Sequence, residues 1–310
     1  MENFELPYKE DYEGRIENKI NILKSEGFKK QAEHLSKYNN QKRINGESGV
    51  NRYVRINFLY NFIKAIKKPL EKITYQDNLN FLLKKYGSSQ PKTISLAKDN
   101  LKNFFRWFYD MDGSGEFPEC VKKFKTTIPR NQKAVKKPED LPTPEEVKKL
   151  LEVGDERESC FLSLLNEVGF RRGEILSIRI RNIVFDEYGA KISIEQSKTD
   201  KRTVRVIDSV PFLKRWINKH PNKNNLDSSL FVSMRHGREG TPLTPNGAFQ
   251  ILKTLIRKAG ITNKRIFIHL FRSNAITNMI KQELPISVIE RQVGWVQGSD
   301  MSRVYVRLSN

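Results

Sequence analysis

The sequence has few cysteines and lacks a long hydrophobic run. Its two cysteines, Cys120 and Cys160, are far apart and do not form the CxxC spacing typical of zinc sites. A disulfide scaffold is equally unexpected, which suits a reducing compartment. No apolar stretch reaches the roughly 18 residues of a membrane-spanning helix, and the acidic start MENFELPYKE does not resemble a secretory signal. We therefore expect a cytoplasmic protein without a metal site and without a membrane partner.

Acidic residues are also scarce relative to basic ones. Lysine and arginine number 56 against 36 aspartates and glutamates, which gives a net charge of +20 at pH 7. Such an excess favours a polyanionic partner, because basic groups that neutralise phosphates release condensed counterions. Nucleic acid is the first candidate. A membrane surface is a weaker one, because the sequence shows no long basic amphipathic helix.

The first part of the chain predicts a helical domain over residues 1–125. Apolar residues recur at helical spacing in several stretches, most clearly in residues 50–66 and in the helix that begins near Pro91. The aromatic residues of the second stretch, among them Phe104 and Phe105, recur at the same spacing. We expect them to form a core, with base stacking as the less favoured interpretation.

A basic segment poor in large apolar residues follows at residues 126–142. It contains three prolines and the run Arg130–Lys137, a composition that predicts an extended linker. Such a linker would either follow a DNA duplex or be disordered. The side chains expected to contact DNA here are Arg130, Lys133, Lys136 and Lys137.

Residues 143–310 predict a second domain with helices and a small sheet. It opens with a capping-box pattern, in which Thr143 is followed by Pro144 and then by Glu146 three residues after the cap. Short stretches between residues 182 and 207 alternate in the manner of β-strands, and helical runs return after them. The fold class is therefore mainly α with a small antiparallel β-sheet.

Basic residues and a tyrosine recur at widely separated places in this second domain. Arg171 follows Gly169-Phe170, lysines occupy the loop between two strands, His269-Leu-Phe-Arg272 opens a helical run, and Tyr305 follows Gly294-Trp295. Taken singly, each has an ordinary structural explanation as a solvated charge or a packed ring. Their order along the chain is the informative feature.

In that order the residues resemble the tyrosine recombinase (integrase) superfamily, whose catalytic set runs Arg, Lys, His-x-x-Arg, His or Trp, Tyr. Gly169–Leu176 resembles the arginine box, and the tail from Gly294 is most similar to archaeal and archaeal-virus integrases. The resemblance covers most of the chain, as a helical core-binding domain, a basic linker and a catalytic domain. The catalytic residues that it implies are Arg171, Lys198, His269, Arg272, Trp295 and Tyr305, with Glu174 in support.

The resemblance implies a site-specific DNA recombinase that cleaves and rejoins duplex DNA through a 3′-phosphotyrosine, without metal or high-energy cofactor. Two arginines would bind the non-bridging phosphate oxygens, because the guanidinium fork matches their geometry. Tyr305 would attack the phosphorus, and a lysine would protonate the leaving 5′-oxygen. Glu174 would orient Arg171 within one helical turn.

Two assignments stay open at this point. Lys198 and Lys201 compete for the acid role; Lys198 fits the family alignment better, and Lys201 or Arg202 would then contact DNA. Tyr188 is the other tyrosine of this domain with basic neighbours, and we rank it below Tyr305 because it lies beside a β-turn.

The expected partner is double-stranded DNA that carries a specific site, bound by a homo-tetramer whose free form is a monomer or dimer. The reaction would be integration, excision or dimer resolution. It would take place on DNA in the nucleoid, and the protein could belong to a mobile element. A type IB topoisomerase or telomere resolvase would share this chemistry. The main alternative is a non-catalytic DNA-binding or architectural protein with an integrase fold, and an RNA-binding protein is supported by charge alone.

Overall fold

The computed structural model describes residues 11–129, 137–195 and 201–296, together with residues 298 and 305. The chain divides into two compact units, one formed by residues 10–135 and the other containing residues 136–310. The predicted fold class, mainly α with a small antiparallel sheet, is confirmed. Among the residues that the structure describes, no helix combines the length and the apolar character needed to cross a lipid bilayer.

The first unit is helical throughout its regular structure. Its α-helices are α1 Tyr12–Ser25, α2 Lys29–Ile44, α3 Gly49–Ile66, α4 Tyr75–Tyr86 and α5 Pro91–Phe108. Helix α4 begins with a capping box between Thr74 and Asp77, which satisfies backbone donors that a helix start leaves unpaired. Helix α5 has Pro91 in its first turn, where the missing N–H costs little.

The core of this unit is rich in aromatic rings. Phe62, Phe104 and Phe105 are fully buried, and the ring of Phe62 meets that of Phe105 edge to face. Trp107 and Phe108 are partly buried against the same cluster. The prediction that these aromatics form a core is confirmed, because spacings of three and four residues place them on one face of α5.

The second unit combines seven helices and three strands within its described residues. They are α6 Pro144–Glu152, α7 Glu156–Val168, α8 Arg172–Ser177, β1 Ile183–Asp186, β2 Gly189–Ile194, β3 Arg202–Val206, α9 Val210–Lys219, α10 Pro245–Lys258, α11 Ile268–Lys281 and α12 Ile286–Val293. Thr143 and Glu146 exchange the two hydrogen bonds of the predicted capping box at the start of α6. The capping box predicted from the sequence is therefore present at Thr143.

The sheet is a meander in the order β1-β2-β3, with both pairs antiparallel. Ile192 on the central strand faces Ile183 on one side and Val204 on the other. Residues at every second position of β2 and β3 are buried, which is the pattern of a sheet with one face on the core. Alternate residues of β3 therefore point towards the core, and the residues between them point away from it.

Helix α7 lies at the centre of the second unit. It packs against α6, α9 and α11, and residues 158–165 are buried almost without interruption. Phe161 meets Phe231 edge to face within the same core. A helix that is apolar on most sides must be surrounded by other elements, and this is what places the end of α7 beside α11.

Candidate active site

Arg171 lies in the sharp turn between α7 and α8. Gly169 ends α7 in a left-handed conformation with a φ of 71°, which glycine adopts without the steric cost of a Cβ. Arg171 is the N-cap of α8, and its backbone N–H donates to Glu174 Oε2 at 2.8 Å. The turn therefore fixes the backbone of Arg171 against the carboxylate that was predicted to orient it.

The same glycine allows α7 to approach α11 closely. A Cβ added at position 169 would lie 3.1 Å from the Cβ of Ala275 and 3.4 Å from the backbone of Arg272. The carbonyl of Gly169 accepts a hydrogen bond from Arg272 Nη1 at 2.6 Å. The two arginine-containing motifs, which are about a hundred residues apart in sequence, therefore meet at this glycine.

Arg272 is held in place by backbone carbonyls. Besides the bond to Gly169, its Nη2 donates to the carbonyl of Val293 at 2.8 Å, and the residue is 3% exposed. Burial, with the positive charge of Arg171, lowers the pKa of Arg272 to about 10. Because that value is still far above neutral pH, the guanidinium stays charged.

Arg171 is held in a similar way by the neighbouring carbonyl. Its Nη2 donates to Gly294 at 2.8 Å, and its Nη1 donates to Glu174 Oε1 at 2.7 Å. The carbonyls of Val293 and Gly294 lie at the C-terminus of α12, where carbonyls lack partners within the helix and the dipole attracts cations. The end of α12 thus gathers both guanidiniums at one place.

Glu174 connects Arg171 to a third arginine. The guanidinium of Arg202 donates to both carboxylate oxygens of Glu174 at 3.0 Å each, in the bidentate geometry typical of strong pairs. Burial alone would raise the pKa of Glu174, but Arg202 and Arg171 outweigh it and lower the pKa to about 2. Glu174 is therefore an ionised carboxylate shared by two arginines.

The position of Arg202 corrects one prediction. Direct DNA contact was expected for this residue as an alternative to Lys201, yet its side chain is 7% exposed. Its Nε also donates to the carbonyl of Gln292 at 3.2 Å. The guanidinium of Arg202 is bound in a fork by the carboxylate of Glu174, whereas that of Arg272 is bound by neutral carbonyls and keeps its charge for an anion, so Arg202 does not suit a DNA contact.

The signal for this burial was present in the sequence. Arg202 has the same parity on β3 as Val204 and Val206, which are 1% and 0% exposed. Side chains two residues apart on a strand share a face. The alternation of buried residues along β3, extended from Val204 back to Arg202, places Arg202 on the inner face of the sheet. The sequence prediction instead assumed that a basic residue beside a hairpin loop faces solvent.

Trp295 and Tyr305 belong to a small apolar cluster on α11 and α12. The indole and phenol ring centroids are 5.4 Å apart at an interplanar angle of 34°. Tyr305 is 4% exposed and packs in the cluster that contains Ile276 and Val293. Tyr305 partly offsets the lowering of the pKa of Arg272. The two residues predicted from the tail are thus brought together beside one of the predicted arginines.

His269 lies in the first turn of α11 and is exposed. Together with Phe170, Arg172, Phe249 and Phe267 it lines an open cleft of about 330 Å³. Its carbonyl accepts a hydrogen bond from the hydroxyl of Ser273 at 3.3 Å. The histidine is therefore exposed at the start of the helix that carries Arg272, three residues before it.

Two further residues predicted to contact DNA are described by the structure, and neither is part of this cluster. Lys201 is exposed directly before β3, and Lys137 is exposed with its ammonium 3.7 Å from Glu139. Four predicted residues lie outside the described part of the chain: Lys198, Arg130, Lys133 and Lys136. For all of these side chains, contact with DNA or a catalytic role stays a prediction.

The charges of the described site favour an anion. Two arginines bind Glu174 and Arg272 lies within range of their charges, so the side chains of Arg171, Arg202, Arg272 and Glu174 sum to a positive charge. Across the described residues, no three His, Cys, Asp or Glu side chains are grouped so that they could hold a metal ion. The chemistry that this arrangement offers is hydrogen bonding and charge stabilisation of an oxyanion.

Comparison with known families accounts for this arrangement. The profile of the phage integrase family matches residues 142–310, which is more than half of the chain and includes every residue of the cluster. The chain belongs to the phage integrase family. This membership confirms the enzyme class predicted from the sequence, a DNA strand-transferase of the tyrosine recombinase type.

Two tyrosine recombinases are similar to this chain over most of its length. The tyrosine recombinase XerA of Pyrococcus furiosus is 27% identical over 259 residues, which cover 81% of this chain and 81% of the relative. The tyrosine recombinase XerC of Staphylococcus epidermidis is 23% identical over 81% of this chain and 82% of its own. A crystal structure of lambda integrase residues 75–356 bound to DNA matches with a TM-score of 0.67 at 15% identity, covering 89% of this chain and 96% of that one. The last similarity supports the fold.

Proposed function

We propose that this integrase-family protein is a site-specific DNA recombinase that cleaves and rejoins duplex DNA through a covalent 3′-phosphotyrosine. The observation that carries the proposal is the convergence of four sequence-distant segments. The turn at Arg171, the first turns of α11 with Arg272, the end of α12 with Trp295, and Tyr305 lie at one place.

The two arginines suit the charge that develops during phosphoryl transfer. When an oxygen attacks a phosphodiester, negative charge accumulates on the two non-bridging oxygens. Arg171 and Arg272 are anchored through carbonyls on adjacent residues, which fixes the direction of both guanidiniums. Arg272 is 3% exposed, so DNA binding must also uncover it in this proposal. Preorganised donors of this kind are worth a factor of about 100 to 1,000 in rate each.

Tyr305 is the proposed nucleophile. Its phenolic oxygen forms a bond to phosphorus while the bond from phosphorus to the 5′-oxygen breaks, so one phosphodiester replaces another and rejoining needs no external energy source. The phenol gives up its proton to solvent, and the departing 5′-oxygen takes one from a general acid, for which we propose Lys198. His269 and the indole N–H of Trp295 are proposed to donate hydrogen bonds to the phosphate.

The burial of Tyr305 adds a requirement to this mechanism. With 4% of its surface exposed and its ring packed near Trp295, the hydroxyl must become accessible before it reaches a phosphate. We propose that DNA binding supplies this change. Removing Tyr305 from a small apolar cluster costs far less than opening the main core, because fewer buried contacts are lost.

We propose double-stranded DNA with a specific site as the partner. The net charge of +20 suits a phosphate backbone, and binding should weaken steeply with salt. In this proposal the helical domain (residues 1–125), the linker (residues 126–142) and the catalytic domain (residues 143–310) all contact the duplex, and a homo-tetramer brings two sites together. Lambda integrase has been crystallised as a tetramer bound to a Holliday junction.

The direct test is a covalent trap. The protein is incubated with EDTA and with nicked duplexes that carry candidate sites, so that a short cleaved fragment diffuses away and the intermediate accumulates on a denaturing gel. We expect a DNA-linked band that is lost in Tyr305→Phe and retained in Tyr188→Phe, since Tyr188 is 67% exposed in the turn between β1 and β2. Tight, salt-sensitive binding without any band would instead favour a non-catalytic DNA-binding protein.

A further inference from the structure

We propose that Arg202 is a positioning residue that keeps Arg171 available to the phosphate. The inference rests on the proposed function and adds a residue to it. Arg202 lies at the first position of β3 and binds both oxygens of Glu174, which in turn binds Arg171 through its side chain and its backbone. Arg202 thus acts on Arg171 through a shared carboxylate.

The first part of the argument is charge. A pair of Arg171 and Glu174 alone would be neutral, and the carboxylate would attract the guanidinium without competition. With Arg202 bound to the same carboxylate, the three side chains sum to one positive charge, and the attraction of Glu174 is divided between two partners. Arg171 then keeps a net attraction for an anion while Glu174 still fixes its direction.

The second part is mechanical. Arg202 Nε donates to the carbonyl of Gln292, and its guanidinium lies so close to Gly294 that a Cβ there would come within 2.5 Å of Nη1. Gly294 is the residue whose carbonyl holds Arg171. Arg202 therefore fixes both groups that orient Arg171, the carboxylate on α8 and the carbonyl after α12.

The same strand offers a matched control. Arg205 lies on the opposite face of β3 and forms an exposed bidentate pair with Asp186 at 2.6 and 2.9 Å. It is an arginine on the same strand with the same kind of partner. Its side chain pairs with Asp186 on β1, and its link to α12 is made by its backbone carbonyl, which accepts a hydrogen bond from Gln292 Nε2 at 3.2 Å and is unchanged by a side-chain substitution. Replacing either arginine by methionine keeps an unbranched apolar stem and removes the charged fork.

The experiment measures single-turnover cleavage of the nicked duplex, with DNA affinity measured separately. We expect Arg202→Met to lower the cleavage rate at saturating DNA by about 10- to 100-fold, the scale of a misplaced catalytic group, with DNA affinity changed less than threefold. Arg205→Met should cleave at the rate of the unmodified protein. Arg202→Lys, which keeps the charge but not the fork, should fall between the two.

A double variant separates positioning from folding. In Arg202→Met the carboxylate of Glu174 is left to Arg171 alone, so the further change Glu174→Gln should restore the positive charge of Arg171 and raise the rate above that of Arg202→Met by up to about tenfold. If Arg202 only supported the fold, the second change would remove another contact and lower the rate further. Thermal unfolding of each variant checks that the proteins compared are folded.

The outcomes are distinct. Absence of a covalent band with the unmodified protein and with Arg205→Met would remove the proposed function itself. A band with both, together with an unchanged rate in Arg202→Met, would overturn the role of Arg202. If Arg202→Met lowers the rate and the added Glu174→Gln lowers it further, the positioning role would also be overturned. Arg202 would then contribute to the stability of the fold.

Discussion

The close approach of Arg202 to Gly294 predicts an unusually large effect of Gly294→Ala. Gly294 has a φ of 66°, and a Cβ at this position would lie 2.5 Å from Nη1 and 2.7 Å from Cζ of Arg202. The substitution therefore has two costs. One is the left-handed conformation, and the other is displacement of a buried guanidinium from its partners.

Gly260 isolates the first cost. Its φ is 67°, nearly the same as that of Gly294, and nothing lies within 4 Å of a Cβ built on it. A residue with a Cβ in the left-handed region costs about 1–2 kcal/mol, so Gly260→Ala should lower the free energy of unfolding by that amount. Weakened hydrogen bonds to a charged group cost about 1.5–3 kcal/mol more, so Gly294→Ala should lower the free energy of unfolding by about 2.5–5 kcal/mol.

The assay is urea unfolding followed by tryptophan fluorescence. A Trp107→Phe background leaves Trp216 and Trp295 as reporters, and both belong to the compact unit that also contains the two glycines. The difference between the two alanine variants measures the contact with Arg202. Equal losses at positions 260 and 294 would refute the packing of Arg202 against Gly294 and, with it, the mechanical part of its positioning role.

Two further predictions concern ionisation. The pKa of Glu174 is lowered to about 2 from an ordinary value of 4.5, so its ion pairs contribute about 3 kcal/mol to the free energy of unfolding above pH 4.5, and this contribution is lost as the pH falls towards 2. Glu174→Gln should remove that part of the pH dependence, measured by urea unfolding at a series of pH values. An unchanged dependence of the free energy of unfolding on pH would contradict the prediction. Burial raises the pKa of the Cys120 thiol to about 11 and also raises that of Cys160, so both should react with a thiol reagent at pH 8 only on unfolding, and rapid labelling of the folded protein would show that a thiolate is accessible.

Local chemistry made much of the fold predictable. The capping box at Thr143 and the alternation in β2 and β3 depend on residues a few positions apart, and the structure has both features. The aromatic spacing of α5 is equally local. Such patterns can be read from sequence because backbone periodicity alone brings the residues together.

The site was predictable in its residue types but not in its connections. The order of Arg171, His269, Arg272 and Tyr305 pointed to the chemistry, and the structure brings Arg171, Arg272 and Tyr305 to one place. The carbonyls that anchor the arginines belong to Val293 and Gly294, and any residue has a carbonyl, so the sequence carries no mark of that role. Only the packing of α12 against α11 selects them.

Arg202 shows the opposite situation. Its sequence position was informative, since its parity on β3 placed it with buried valines, but its charge suggested solvent. A buried arginine is tolerated only where a carboxylate and carbonyls meet it. Those partners come from α8 and from the end of α12, and the sequence gives no local indication that they converge.

The measurement that most directly tests the central claim is the identity of the atom that becomes bound to DNA. The trapped complex is digested with nuclease and protease, and the peptide that retains a nucleotide is sequenced by mass spectrometry, with the DNA labelled in turn at each end of the cleaved strand. The account predicts a single modified residue, Tyr305, linked to the 3′-phosphate with a free 5′-hydroxyl on the other fragment. Attachment at Tyr188, linkage to a 5′-phosphate, or cleavage without attachment would contradict it.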